Sequence, residues 1–501
     1  MKLFPSFLLV ILWSIASCSC QKKSNTGEEP TPPPVVEPSV GKVSVLLTTA
    51  NRQKEFYKEQ TDLKLIKNPN ASYSITLKPA EKFQTIYGFG AAITGSTCYN
   101  LMQMSPADRK AFLTETFSET EGFGQNFVRI SIGCSDFSLS EYTLCDTKGI
   151  EHFALTKEET QYVIPILKEI LAINPKVQII GSPWTPPRWM KVNNLTDLQP
   201  YDHWTSGQLN PAHYQDYALY FAKWLQAMKD NGLNVNAITI QNEPLNRGNS
   251  ASMYMGWDEQ LAFVKSALGK TLRDKGFAEV KIYLFDHNYN YDNMPSQQQY
   301  PLHIYKDTEA SQYITGAAYH NYGGNPDELN NIHNQYPNKE LIFTESSIGT
   351  WNDGRNLQRR LTEDMQELGI KTLNNHCKAV IVWNLMLDEH GAPNREGGCK
   401  TCFGAVDIQT SDYKTMQRNS HYYVISHLSA VIKQGATRIG VEKTTDDNVQ
   451  CTAFQNPDGS LACVLLNKKK EATHLTLSTG KHYFSYEVPA NSVVSFLIPK
   501  I

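Results

Sequence analysis

Two glutamates carry the strongest chemical signal in this 501-residue chain. Glu243 stands in Ala237-Ile-Thr-Ile-Gln-Asn-Glu-Pro-Leu245, where Ile238 to Ile240 read as a buried strand and Pro244 stops the ladder. Glu345 follows 102 positions later in Leu341-Ile-Phe-Thr-Glu345, with the same layout. A single Glu at a strand end is as readily a cap for the next helix as a reacting group. Two of them, one flanked by Asn242 and Pro244, point to one reaction that needs two carboxyl groups.

The ends of the other candidate strands carry groups suited to a polyhydroxylated ligand. Arg129 lies inside the run Val128 to Ile132, where a guanidinium is costly to bury unless paired, and a catalytic carboxylate is its natural partner. Asp136, just beyond, is placed to accept hydrogen bonds from adjacent sugar hydroxyls. Prolines flank Trp184, which is expected to face the sugar as the exposed member of the pair Trp184 and Trp189. Asp286-His287-Asn288, His320-Asn321-Tyr322 and Trp383-Asn384 close three more strands. Each is as readily structural as ligand-binding, except Tyr322 and Trp383, where contact is favoured. Trp351, Trp204 and Tyr254 are candidates for further subsites. His287 and His320 fall on different strands, and neither an H-E-x-x-H run nor an EF-hand spacing occurs, so no metal is expected. Gly88-Phe-Gly-Ala-Ala-Ile93 lacks the third glycine of a dinucleotide loop, and no cofactor is expected.

These groups need a scaffold that brings many strand ends together. Eight buried strands are predicted: Thr85 to Gly88, Phe127 to Ile132, Val177 to Ser182, Ala237 to Gln241, Lys281 to Asp286, Ile314 to His320, Leu341 to Glu345 and Ala379 to Asn384. Helical patterns separate them, among them Pro106 to Phe117, Pro211 to Asn231 and Arg355 to Asn374. Near-continuous apolar strands alternating with helices predict a parallel sheet closed into a (β/α)8 barrel, an α/β fold. Short β-like runs return after Tyr423, with Asn456-Pro-Asp-Gly459 as a hairpin turn. They predict a side β-sandwich completed by strands from the amino-terminal segment. The expected division is 41–80 for the first sandwich strands, 81–429 for the barrel and 430–501 for the rest of the sandwich.

The first residues read as a targeting segment. Lys2, the apolar run Phe4 to Ile15 and Ile15-Ala-Ser-Cys18 resemble a bacterial lipobox, with 1–17 removed and Cys18 lipidated. Residues 18–40, rich in proline and polar residues, read as a tether. The expected location is the bacterial cell envelope, anchored to the outer membrane and turned to the cell surface, with the periplasmic side as the alternative. The membrane is expected to be touched only through that anchor. Lys+Arg of 47 against Asp+Glu of 50 leaves a formal charge of -3 and no field for nucleic acid. Cys399-Lys-Thr-Cys402 is a lone C-x-x-C, a loop disulfide or two ordinary thiols.

Together Gly88-Phe-Gly-Ala-Ala-Ile-Thr94, Asp136-Phe-Ser138, Ser182-Pro-Trp-Thr185, Asn242-Glu-Pro244, Thr344-Glu345 and Trp383-Asn-Leu385 resemble glycoside hydrolase family 30, which contains glucosylceramidases and β-1,6-glucanases. The resemblance runs from about residue 80 to the end. It implies a retaining O-glycosyl hydrolase with Glu243 as acid/base and Glu345 as nucleophile. It also puts Asp136, Trp184, Asn242, His320, Tyr322 and Trp383 at first-subsite sugar positions. Gly95 stands where that family commonly has Asp, and Cys399 to Cys402 enters a loop beside the pocket, so subsite specificity is where departures are expected. The favoured activity is endo-β-1,6-glucan cleavage by a monomer. An exo-acting β-glucosidase of glucosylceramidase type and a xylanase are the alternatives, and a non-catalytic surface glycan-binding lipoprotein is a distant one.

Overall fold

Alternation with period two builds the centre of the molecule. The computed structural model describes residues 37–66, 72–291 and 293–501; the leader, Cys18 and nearly all of the tether lie outside them. Among the described residues eight parallel strands form one sheet: Gly88–Ala91 (β1), Phe127–Ser131 (β2), Gln178–Ser182 (β3), Ala237–Thr239 (β4), Lys281–Asn288 (β5), Gly316–His320 (β6), Glu340–Glu345 (β7) and Cys377–Val382 (β8). They pair in the order 1-8-7-6-5-4-3-2. The seam between β1 and β2 is bridged at Ala92 and Arg129, with Ile93 N donating to Arg129 O at 2.8 Å. The sheet thus comes round into the expected (β/α)8 barrel.

Inside it, residues two apart on a strand face the same way. Phe127, Ile180, Ala237, Ala318 and Ile342 fill one apolar layer. Two positions further along the same strands stand Arg129, Ser182, Thr239, His320 and Thr344, a buried polar layer on the side where the strands end. Below the apolar layer Glu340 accepts from Tyr283 Oη at 2.7 Å and pairs with Lys281 at 3.1 Å and Lys378 at 3.0 Å. Chemistry and mechanical plug therefore occupy opposite ends of one barrel.

The first barrel strand differs from expectation. Thr85 ends a strand of the other module, Ile75–Thr85, and β1 begins at Gly88. The boundary expected at residue 80 falls inside that strand, and the tether expected to reach 40 gives way to a strand at Ser39. The composition of Thr85-Ile86-Tyr87 reads as strand, whereas glycines do not. Yet a Cβ at Gly90 would stand 1.9 Å from the Phe127 carbonyl oxygen, so the close approach of β1 to β2 requires glycine.

The second module draws on both ends of the chain. Ser39–Thr49, Tyr57–Leu65 and Ile75–Thr85 join the six strands Thr437–Lys443, Val449–Gln455, Leu461–Asn467, Thr473–Ser478, His482–Val488 and Ser492–Ile498. Hydrogen bonds close these nine described strands into a ring, which leaves no free edge among them. Val43, Val45, Leu63, Leu77, Leu465 and Phe496 are part of its core. The helix Ser420–Val431 joins it to the barrel: His427 Nδ1 lies 2.9 Å from Ser495 Oγ and Nε2 lies 2.9 Å from Thr48 Oγ1. That helix runs across the boundary expected at residue 429. No described helix is long and apolar enough to cross a membrane.

Candidate active site

Arg129 organises the polar layer. Fully buried on β2, it donates from Nη1 to Glu345 Oε2 at 2.6 Å and from Nη2 to Asp286 Oδ2 at 2.7 Å and Asn242 Oδ1 at 2.8 Å. Its Nε donates to Ser182 Oγ at 3.1 Å. Four partners on four other strands or their ends repay the burial of one guanidinium. Asp286 is the second hub. It accepts from Thr344 Oγ1 at 2.6 Å and Thr239 Oγ1 at 2.7 Å, and lies 3.0 Å from His320 Nε2. Phe285 and Asp286 have φ of 69° and 60°, and the β5–β6 register shifts there. This left-handed irregularity aims Asp286 at the barrel axis, a placement a regular strand does not give.

Glu243 follows β4 with φ of 42°, its amide donating to Asp286 O at 3.0 Å. Its Oε2 accepts from Asn246 Nδ2 at 2.8 Å and Asn249 Nδ2 at 2.7 Å, and its Oε1 lies 3.2 Å from His320 Nδ1. Glu345 ends β7, with Oε1 accepting from Tyr322 Oη at 2.9 Å. An oxygen of each carboxylate and a nitrogen of His320 lie within 4.8 Å of one another.

Burial alone would lower His320, but the charge of Glu345 and the hydrogen bonds to Asp286 and Glu243 raise it to about 9. Burial would raise Glu243, but the hydrogen bond from His320 and the charges of His287 and His320 bring it down to about 2. Burial raises Glu345 against the pull of His320 and Arg129. In the free site the shared proton therefore rests on His320. Two glutamates alone would hold such a proton through mutual repulsion, and the imidazole close to both shifts that balance. Asp136 is raised by burial and then by Glu345 to about 8.

All the site residues expected from the sequence within the described region gather at this end of the barrel, but not all in the expected setting. Trp184, expected to be the exposed tryptophan, is only 2% accessible. Its ring stacks on Trp383 at 5.2 Å between centroids, and the Arg129 guanidinium lies 4.9 Å above it. Trp189, expected in the core, is only partly buried and donates from Nε1 to Cys145 O at 2.8 Å. The pair is reversed because Trp184 is needed to cover Arg129, a partner invisible in its own loop. Tyr322 is partly open, its hydroxyl turned inward to Glu345. Cys399 and Cys402 are joined as a disulfide. Sequence reasoning gave no role to Asn246 or Asn249 and treated Asp286 as one strand-end residue among several. The only signal for the asparagines is their closeness to Glu243.

Glu243, His320 and Glu345 also form a donor set of the size that holds a metal ion. Arg129 and the raised His320 already supply positive charge there, so the set does not fit a cation.

A parallel barrel that presents two carboxylates this close, walled by tryptophan, asparagine and histidine, is the layout of an enzyme that hydrolyses glycosidic bonds. Residues 86–432 match the glycosyl hydrolase family 30 TIM-barrel domain, and 435–496 match the glycosyl hydrolase family 30 beta sandwich domain. The chain belongs to glycosyl hydrolase family 30. It is 32% identical over 443 residues to an endo-1,6-beta-D-glucanase of Trichoderma harzianum, covering 83% of this chain and 85% of that one. Lysosomal acid glucosylceramidase of Mus musculus is 28% identical over 452 residues, covering 84% of this chain and 83% of its own. A solved structure of an endo-beta1,6-glucanase is 60% identical, with a TM-score of 0.89, covering 92% of this chain and 100% of that one.

Proposed function

We propose that this chain is an endo-acting β-1,6-glucanase that cleaves by double displacement, with Glu345 as nucleophile and Glu243 as acid/base. For the substrate, the observation that carries the reading is the 60% identity to an endo-beta1,6-glucanase over the whole of that chain. For the chemistry it is the separation of the two carboxylates. Oxygens within 4.8 Å suit direct attack on the anomeric carbon, whereas inversion needs about 6.5–9.5 Å to seat a water.

Glu345, held by Arg129 and Tyr322, attacks the anomeric carbon as the bond from that carbon to the leaving oxygen breaks, and the glycosyl ester forms. Its charge is consumed in that bond, and this charge is the strongest influence holding the proton on His320. In the same step the proton passes 3.2 Å to Glu243 Oε1 and on to the departing oxygen, which leaves as an alcohol. In the second step Glu243 takes a proton from water, the water oxygen bonds the anomeric carbon, and Glu345 departs as carboxylate. Asn242, with Oδ1 accepting from Arg129, offers Nδ2 to the sugar 2-hydroxyl. Asp136, Trp184 and Trp383 wall the same sugar.

The test combines substrates and variants. Pustulan, a β-1,6-glucan, should yield oligosaccharides, with far less release from laminarin or an aryl β-glucoside; the reverse order would remove the β-1,6 endo reading. Glu345→Gln should abolish every activity. Glu243→Gln should spare the first step on an activated aryl glucoside, and azide should restore turnover as the β-glycosyl azide. A β-azide product from the Glu345 variant would reverse the two roles.

The same reading puts the enzyme in the bacterial cell envelope as a monomer, anchored through Cys18 to the outer membrane and facing external polysaccharide. It rests on the lipobox-like Ile15-Ala-Ser-Cys18, the proline-rich tether and a site complete within one chain. Cys18→Ser should yield active enzyme in the soluble fraction; persistence in the membrane fraction would remove the lipid anchor from the account.

A further inference from the structure

Beside the carboxylate pair, a cavity of about 480 Å³ opens between the loops that follow β6 and β7. Asn321, Tyr322, Ser346, Ser347, Trp351 and Asn352 are among the residues that line it. It adjoins the reacting groups directly, because Tyr322 both lines it and donates to Glu345, and Ser346 follows Glu345 in the chain. Its wall mixes hydroxyl and amide groups with three aromatic rings and the charged Arg360 and Glu367, the composition of a site for a sugar rather than for an apolar tail.

Trp351 is the unusual member. At 52% accessible it is the most exposed tryptophan among the described residues. The two other aromatics expected to line further subsites already have cationic partners. The guanidinium of Arg188 lies 4.5 Å from the Trp204 ring, and that of Arg247 lies 4.0 Å from the Tyr254 ring. Trp351 is presented instead. Its ring lies against Gly349, where a Cβ would come within 2.0 Å of a ring carbon. Gly349 in turn pairs with Cys402 in a two-stranded ribbon, Ile348–Gly349 with Cys402–Phe403, and Thr350 N donates to Thr401 O at 2.9 Å. The Cys399–Cys402 disulfide closes the end of that ribbon. A short cross-linked ribbon thus fixes a large apolar face at the rim of a polar cavity, and its desolvation by a sugar face requires little ordering of the protein.

Asp136, Trp184 and Trp383, from β2, β3 and β8, wall the sugar whose anomeric carbon is attacked. We infer that Trp351 and this cavity form a further subsite that stacks a glucosyl unit of the substrate chain, with the Cys399–Cys402 ribbon holding the tryptophan in place. The inference rests on the β-glucan reading above. It gives the C-x-x-C pair a positioning role rather than a redox or metal one.

The measurement is kcat/KM for a ladder of gluco-oligosaccharides of rising length, made with whichever glucan linkage the wild type cleaves, against an aryl β-glucoside. For Trp351→Ala the ratio of long oligosaccharide to aryl glucoside should fall about tenfold, the loss of one aromatic stacking partner. Trp351→Phe should recover most of that ratio. Cys399→Ser with Cys402→Ser should lower it in the same direction by a smaller factor. An unchanged ratio in Trp351→Ala, or equal losses on both substrates, would overturn the subsite. A wild type that ignores β-1,6 linkages but shows the same dependence on Trp351 with another glucan would overturn the linkage and leave the subsite standing.

Discussion

At the scale of single residues, His320 is the group whose state the surroundings control most. It touches Asp286 and Glu243 and lies 3.9 Å from Glu345 Oε1, so three carboxylates compete for one imidazole. Its pKa is raised from 6.5 to about 9, so its contribution to stability is complete below pH 6.5 and is lost as pH rises through 9. Glu243, lowered from 4.5 to about 2, works at the other edge: its contribution is present above pH 4.5 and is lost as pH falls toward 2. From these two groups stability is greatest between pH 4.5 and 6.5. Melting temperature against pH should decline between pH 6.5 and 9 in the wild type. His320→Asn should be flatter over that interval, and an equal slope in both proteins would remove His320 as the cause.

At the scale of elements, the junction of β1 and β2 decides whether the barrel is continuous. Its two strands come together because Gly90 carries no side chain above the Phe127 carbonyl. Asn126 supports the same junction, its amide donating to Phe89 O at 3.0 Å and its Oδ1 accepting from Phe89 N at 3.1 Å. Gly90→Ala must push β1 away from β2 and with it the bond from Ile93 N to Arg129 O. A loss of about 2–4 kcal/mol is expected from a methyl group forced against backbone. Urea unfolding measures it directly. A change under about 0.5 kcal/mol would show that the junction relaxes without cost.

For the whole molecule, stability and chemistry are kept at opposite ends of the barrel. Among the described residues the hydrogen bonds and ion pairs of Glu340 run to Lys281, Lys378, Tyr283 and Tyr87 and not to the polar layer above. Glu340→Gln leaves two lysines without their carboxylate. The group is partly solvated, so a cost of about 1–3 kcal/mol is expected, with kcat on glucan unchanged. A fall in kcat at full folding would show that the plug reaches the site. The second module is a ring closed by strands from both termini, which protects its own edges.

The sequence by itself determined the pattern. Apolar strands at regular intervals, each ending in polar or aromatic residues, specify a parallel barrel and its reactive end, because period and strand length are local properties. The strand-end positions of Glu243 and Glu345 were legible for the same reason, each closing a strand before a break, and so was the pairing of buried Arg129 with a carboxylate. Only the tertiary structure decided the partnerships. Arg129 meets Asp286 across 157 positions and Glu345 across 216, and Asp286 reaches the axis through a left-handed irregularity that no residue pattern announces. Trp184 is buried over Arg129, and His320 is raised while Glu243 is lowered, because electrostatic energy depends on distances in space that the chain sets only when it closes.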